Sequence, residues 1–241
     1  MIFDKVEKKK YRHELKYICT AAELALIQSR IHHLIPLDSH VDDSGMYQIR
    51  SLYFDDYYNR CYYENENGTD PREKMRIRIY NHSAEKIRLE CKRKSHGKTL
   101  KTSCGLSAAQ TEQLLRGEPL PNFGELTELQ QKLNLQMMTR LLRPVVIVEY
   151  DRIPYIYANG NVRVTFDTNL SASPWVGGFL SPDVPKRPVM PVGQLLMEVK
   201  FDEYLPDFIY RALNLGELRQ TTFSKYYLCR KFNLRKPGGA L

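Results

Sequence analysis

Residues 72–101 carry eleven basic residues and three acids, an excess of eight that equals the formal net charge of the whole 241-residue chain. A cluster of that density is suited to a polyanion. Its spacing sharpens the inference. Lys86, Arg88, Glu90, Lys92 and Lys94 alternate with Ile87, Leu89 and Cys91, and Arg76 and Arg78 alternate with Ile77 and Ile79. Alternation at period 2 puts the charges on one face of a β-strand and the apolar side chains on the other. Arg93 is out of phase and belongs to the apolar, outward side with Cys91. Glu14, Glu90 and Glu198 fall on the same faces as the cations. In such surroundings a carboxylate either pairs with neighbouring Arg and Lys or ligates a hard divalent ion. Arg gives bidentate contacts to phosphate oxygens and Lys a point charge, so these residue types suit phosphoryl transfer, where catalysis is positioning and charge neutralisation.

The elements that must position these side chains can be read from the same pattern. Alternation recurs at 12–17, 162–167 and 197–201, and 48–54, 100–104 and 144–152 also read as strands. About eight strands joined by short turns such as Asn81-His82, Ser95-His96-Gly97 and Asn159-Gly160-Asn161 predict an α+β protein built on an antiparallel eight-stranded β-barrel or strongly curved sheet. Thr20 with Glu23, and Ser107 with Gln110, are capping boxes that open helices over 21–34 and 108–115. Helical patterns also cover 125–133, 207–215 and 223–232. Five prolines and Gly177-Gly178 mark 171–191 as a long loop inside one domain, 1–241, because strands resume directly after it. Helices packed outside the barrel would cover the apolar strand faces and turn the charged faces inward, lining a channel. Two cations about 8 Å apart at a dielectric near 20 repel by roughly 2 kcal/mol, so such a channel favours an anionic occupant.

Other classes are excluded one by one. With 42% hydrophobic and 27% charged residues the composition is that of a folded globular protein. No apolar run approaches the roughly 20 residues of a membrane-spanning helix, and residues 1–10 lack the apolar core of a secretory signal. No membrane insertion is expected. Five cysteines without a CxxC pair predict a reduced, cytoplasmic protein. Gly97-Lys98-Thr99 imitates the end of a P-loop, but Lys92 stands where the first glycine belongs. His32-His33 lies on an amphipathic helix and reads as surface or packing. Nine Phe and 16 Tyr could stack single-stranded bases in a basic groove. Glu on the basic faces would repel a nucleic-acid backbone, so no nucleic-acid partner is expected.

In order along the chain stand Arg12-His13-Glu14-Leu15-Lys16-Tyr17, Arg50-Ser51-Leu52-Tyr53-Phe54-Asp55, Arg76-x-Arg78, Glu90-x-Lys92, Glu149-Tyr150-Asp151-Arg152, Arg163-Val164-Thr165-Phe166-Asp167, Met197-Glu198-Val199-Lys200 and Ser224-Lys225-Tyr226. Over a core of about 11–230 the series resembles the catalytic domain of the vacuolar transporter chaperone (VTC) polyphosphate polymerases, a branch of the triphosphate tunnel metalloenzymes. No single element is specific; the eight in this order are. The resemblance implies a basic tunnel holding a triphosphate and a Mn²⁺ or Mg²⁺ ion, with ATP and inorganic polyphosphate as partners. The γ-phosphoryl group of ATP would pass to a growing polyphosphate chain. By the same resemblance Arg76, Arg78, Lys92, Arg152, Arg163 and Lys225 are the catalytic cations. Lys16, Lys200, Ser224 and one or both of Lys98 and Lys101 bind phosphate, and Glu198 with Glu14 holds the metal. Ser224 could equally cap the helix that follows it. Hydrolytic branches of the superfamily open with Glu-x-Glu-x-Lys, and Arg12 at the first position favours the polymerase branch. The same cations would serve a triphosphatase of this fold or a non-catalytic polyphosphate binder. The phosphate-sensing domain and membrane helices of eukaryotic complexes have no counterpart in this sequence, so coupling to transport is not expected.

Overall fold

The eight expected strand segments become eight long strands in the computed structural model, which describes residues 11–232. In chain order the elements are β1 (His13–Thr20), α1 (Ala21–Ile31), β2 (Tyr47–Asp55), α2 (Arg60–Glu66), β3 (Arg72–Tyr80), β4 (Ser83–Ser95), β5 (Lys98–Leu106), α3 (Ala108–Leu115), α4 (Glu128–Arg140), β6 (Arg143–Tyr157), β7 (Val162–Ser173), β8 (Arg187–Pro188), β9 (Gln194–Phe201), α5 (Asp207–Ala212) and α6 (Lys225–Lys231). The strands form one antiparallel sheet in the order β1-β9-β7-β6-β2-β3-β4-β5, with short β8 beside β7. The sheet curls until its edges approach. Arg12 N–H donates to the Thr99 carbonyl at 3.1 Å and Thr99 N–H to that of Arg12 at 3.2 Å, so one bridge joins the β1 and β5 edges.

The apolar faces point outward and are covered as the alternation requires. Leu52, Phe54, Ile77, Ile79 and Leu89 pack under Leu114 of α3 and Leu133 and Met137 of α4. Val164, Phe166, Met197 and Val199 pack under Ile27 and Ile31 of α1 and Ile209 of α5. Each such buried aliphatic or aromatic side chain contributes roughly 1.5–3 kcal/mol, which makes the outer layer the main source of stability.

The inner face departs from a uniformly charged lining. Ile49, Val146, Val148, Leu170 and Ala172 form an apolar inner cluster with Tyr226 and Cys229 of α6. So α6 packs against the inside of the sheet while the other helices cover the outside. A register shift between β6 and β7, with Asn169 in the left-handed region at φ 53, breaks the period of β7. Asp167 and Leu170, three residues apart, thereby share the inner face.

Two helices differ from the sequence reading. The one expected over 125–133 starts at Glu128 and runs to Arg140, because Thr127 and Gln130 form a further capping box. The unexpected α2 is capped from upstream: Asp55 accepts from the N–H groups of Cys61 (2.8 Å) and Tyr62 (3.1 Å), and Asp56 from Arg60 N–H (2.9 Å). Asp55 also accepts from the Tyr226 hydroxyl, which ties α2 to α6.

Candidate active site

Inward-facing charges converge on one cavity of about 570 Å³. Arg76 and Arg78 reach it from β3, Lys92 from β4, Lys16 from β1, Arg152 from β6, Lys200 from β9 and Lys225 from α6. The β1–β9 register sets Glu14 beside Lys200 and Lys16 beside Glu198, a checkerboard of two acids and two amines. Lys16 Nζ lies 3.7 Å from Glu14 and 3.6 Å from Glu198; Lys200 Nζ is 2.8 Å from Glu198 and 3.8 Å from Glu14. Lys92 donates to Glu14 at 2.6 Å. Lys225 donates to Glu198 at 3.0 Å and stands 2.6 Å from Asp167. Arg152 forks onto Asp167 at 2.6 and 2.7 Å, and its ring neighbour is Tyr150, 5.3 Å from guanidinium to centroid.

On the opposite wall Arg76 pairs with Glu90 at 2.7 Å and donates to the Tyr53 hydroxyl at 2.8 Å. Arg78 donates to Ser51 (3.1 Å) and the Tyr150 hydroxyl (3.3 Å), while Glu90 is 3.7 Å away. Its closest partners are thus neutral, and Glu90 compensates it less tightly than it does Arg76.

Burial alone would push these carboxyls up, yet the cations win. Lys92, Lys16 and Lys200 hold Glu14 below the usual glutamate range, and Lys200, Lys225, Lys16 and Arg152 do the same for Glu198. Arg76, Arg78 and Lys101 lower Glu90. Burial, followed by neighbouring cations, lowers Lys74 to about 7, and burial lowers Lys92 to about 8 against the pull of Glu14. The lowered carboxyls add stability that is present above pH 4.5, their ordinary value, and is lost as the pH falls. The lowered amines cost stability while charged, and their slope has the same sign at higher pH: above pH 7 the unfolded chain binds protons that the folded chain does not, so stability rises with pH. The urea midpoint of the ligand-free protein should therefore climb between pH 6.5 and 8.5 (the window in which these amines titrate, about 7 and 8). Above the ordinary thiol value of 9.0 the buried Cys19, Cys91 and Cys229, pushed up to about 12, 11 and 12, reverse the trend. A midpoint that is flat or falling across that window would contradict the buried amines.

Glu14 Oε1 is buried and accepts no hydrogen bond, although Lys16 and Lys200 stand 3.7 and 3.8 Å from it. Mg²⁺ and similar hard ions are held by one or two carboxylates completed by substrate phosphates and water. Glu14 and Glu198 fit that arrangement. They do not fit a protein-only cage, and among the described residues no group of three or more His, Cys, Asp or Glu could hold a metal.

Several expected site residues lie elsewhere. Arg163 is bound by Asp38 (2.6 Å) and the Tyr47 hydroxyl (2.8 Å), and it is not part of the cavity lining. Lys98, paired with Ser95 at the hairpin turn, is exposed and outside the lining; Lys101, on the inner parity beside Lys92, reaches Glu90 at 3.1 Å from an exposed position. Arg12 turns away to Asp202 (2.8 Å) and the Asn161 carbonyl (2.9 Å). Ser224 caps α6 by accepting from Tyr227 N–H at 3.2 Å and, unlike these, also lines the cavity. Arg93 is exposed on the outer side beside Glu73 and Met75. Lys74, Tyr53 and Tyr150 line the cavity without having been singled out. The signal for Lys74 was present: it is in phase with Arg76 and Arg78. Outside the barrel, a buried pair of Arg50 and Glu149 (2.6 Å) missed any role in the sequence; Arg50 also donates to the carbonyls of Phe179 (3.0 Å), Ser181 and Pro182 (3.1 Å), pinning the proline-rich loop.

The sequence profile of the VTC domain matches residues 11–232. The chain belongs to the VTC domain family. Solved structures agree on the fold. A Bacillus halodurans protein named for adenylate cyclase superposes with a TM-score of 0.53 at 14% identity, covering 90% of this chain and 95% of that one. A Hippeastrum protein, HpAC1, named for adenylyl cyclase and described as having a dominant triphosphatase activity, superposes with a TM-score of 0.52 at 12% identity, covering 94% and 97%. These are triphosphate tunnel folds, and the VTC domain described here shares their curled antiparallel sheet. No curated protein sequence matches the chain. Among its described residues no helix is long and apolar enough to cross a membrane.

Proposed function

We propose that this VTC domain is a metal-dependent phosphotransferase that lengthens polyphosphate with the γ-phosphoryl group of ATP. The observation that carries the reading is the convergence of cations from five strands and one helix on a single cavity, interleaved with Glu14 and Glu198, the first of which has an orphaned oxygen to offer. Arg76, Arg78, Lys92, Arg152 and Lys225 are the catalytic cations in this proposal, and Lys16, Lys101, Lys200 and Ser224 bind phosphate. Arg163 and Lys98 drop out, since neither lines the cavity; Lys101 does not line it either and is kept for its contact with Glu90, the partner of Arg76. Glu14 and Glu198 would hold Mn²⁺ or Mg²⁺, which supplies charge neutralisation on phosphate oxygens. The protein's own part is to align donor and acceptor phosphates and to match the charge that spreads over the transferring oxygens. Arg78 is best placed for that task because its hydrogen-bond partners are neutral and its nearest carboxylate, Glu90, stands 3.7 Å away. With Arg12 turned outward to Asp202, a third carboxylate at the opening of β1 is replaced by a cation outside the cavity, which disfavours two-metal hydrolysis.

One incubation tests the proposal. Purified protein with ATP and Mn²⁺ should yield long phosphate polymer; free orthophosphate alone would make it a triphosphatase, and no product an inert binder. Binding itself has a separate readout. Tripolyphosphate at about 100 times its Kd should add about 2.7 kcal/mol and raise Tm by roughly 5–10 °C, with equal sulfate doing far less. Equal shifts from both anions would point to generic surface screening.

A further inference from the structure

The floor of the cavity is charge-matched. Lys16, Lys92, Lys200 and Lys225 each have a carboxylate oxygen within 3.6 Å. Lys74 differs. Its ammonium donates to two neutral acceptors, Asn65 Oδ1 at 2.7 Å and Ser224 Oγ at 2.9 Å, lies 5.3 Å from the Tyr226 ring centroid, and forms no ion pair among the described residues. Cations face it from its neighbours: Lys16 of β1, Lys92 directly opposite on β4, and Arg72 on its own strand. Cys61 of α2 acts on it in the opposite sense, favouring the charged amine, and Tyr226 of α6 faces it with its ring. Ser224 Oγ accepts from both Lys74 and Tyr227 N–H, so its lone pairs are used and its proton is what it has left to give. An uncompensated ammonium beside a hydroxyl able only to donate calls for an anion.

We propose that Lys74 and Ser224 form an outer phosphate subsite that takes chain phosphates beyond those held over the floor, making the cavity selective for polyphosphate over triphosphate. The inference rests on the phosphate-binding reading above and extends it. Lys74, Arg76 and Arg78 follow one another at two-residue steps, so Lys74 and Arg78 are about 13 Å apart along β3. Contacts along the whole of that row therefore favour a longer chain over a single triphosphate. Occupancy by phosphate favours the charged amine, so above pH 7 binding of the chain draws a proton from solution.

Titration calorimetry with tripolyphosphate and with long-chain polyphosphate, in two buffers of different ionisation enthalpy at pH 8, tests the subsite without needing turnover. Lys74→Gln should weaken polyphosphate about tenfold or more and tripolyphosphate less than about twofold. Lys74→Arg keeps the charge but cannot titrate. It should retain polyphosphate affinity and take up close to one proton fewer per chain than the natural protein, roughly the full difference expected one unit above the free pKa. The two variants share Lys92 and every other titrating group, so their comparison isolates Lys74. Equal weakening of both ligands by Lys74→Gln, no weakening of either, or equal proton uptake in the natural protein and Lys74→Arg would each overturn the subsite while leaving the cavity's phosphate binding intact. Failure of the natural protein to bind either anion would overturn the reading beneath it as well.

Discussion

Arg78→Ala is expected to slow phosphoryl transfer at least about a hundredfold, on the order of 3 kcal/mol, while Arg93→Ala leaves it within about twofold. Both arginines belong to the same hairpin and the same basic segment, so the contrast separates an interior from a surface. Arg78 is buried on the inner face, with Ser51 and Tyr150 as its hydrogen-bond partners. Arg93 is exposed on the outer side. Truncating Arg78 should leave a folded protein, because Glu90 keeps Arg76 at 2.7 Å and Lys101 at 3.1 Å and is not left as a lone buried charge. The loss should therefore appear in kcat with little change in Tm. If both variants prove equally mild, or equally damaging in proportion to salt, the basic segment is a surface patch and a nucleic-acid partner becomes the better explanation.

Strand parity was legible because one residue type settles each face. Ile77, Ile79 and Leu89 cannot share a face with Arg76, Arg78 and Glu90, and the structure puts the first set under α3 and α4 and the second around the cavity. Parity fails where the chain adds a residue. The irregularity at Asn169 moves Leu170 and Ala172 onto the inner face, and with them the apolar cluster that receives α6. Nothing in the alternation of 162–167 announces it. The helix α2 was hidden for a related reason: its N–H groups are satisfied by Asp55 and Asp56 several residues upstream, not by an adjacent capping residue, and Asn59 at its start is left-handed. Arg163 shows the limit of reading roles from phase. It has the parity of Asp167, but Asp38, in the stretch between α1 and β2, meets its guanidinium, and that long-range pairing has no trace in local spacing.

The cavity also changes the electrostatic argument that the basic segment suggested. Cations facing one another across an empty channel would repel, and binding a polyanion would relieve that repulsion. Instead Glu14, Glu90, Asp167 and Glu198 already hold the cations in place. Phosphate must therefore compete with resident carboxylates for the same lysines and arginines. A divalent ion changes that competition. Were Glu14 and Glu198 to hold such an ion, their charge would be matched by it, and the amines they now hold would be left for phosphate oxygens.

Glu198→Gln puts that competition to its most direct test. Glu198 is buried, with Lys200 at 2.8 Å, Lys225 at 3.0 Å, Arg152 at 3.5 Å and Lys16 at 3.6 Å. Removing its charge leaves those four cations to share Glu14 and Asp167. If Glu198 holds the catalytic ion, turnover should vanish in the variant. Metal-free affinity for tripolyphosphate should rise, not merely persist, because phosphate then fills the place of the lost charge without displacing anything. Breaking a buried ion network typically costs about 3–5 kcal/mol, so the empty variant should melt well below the natural protein, and saturating tripolyphosphate should recover much of the difference. The stabilisation that Glu198 provides is present above the ordinary carboxylate range and disappears in acid, so the two proteins should converge in Tm as the pH falls below 4.5. Full activity with Mn²⁺ in the variant would sink the metal assignment. Weaker metal-free binding would show that Glu198 orders the lysines for phosphate and does not compete with it.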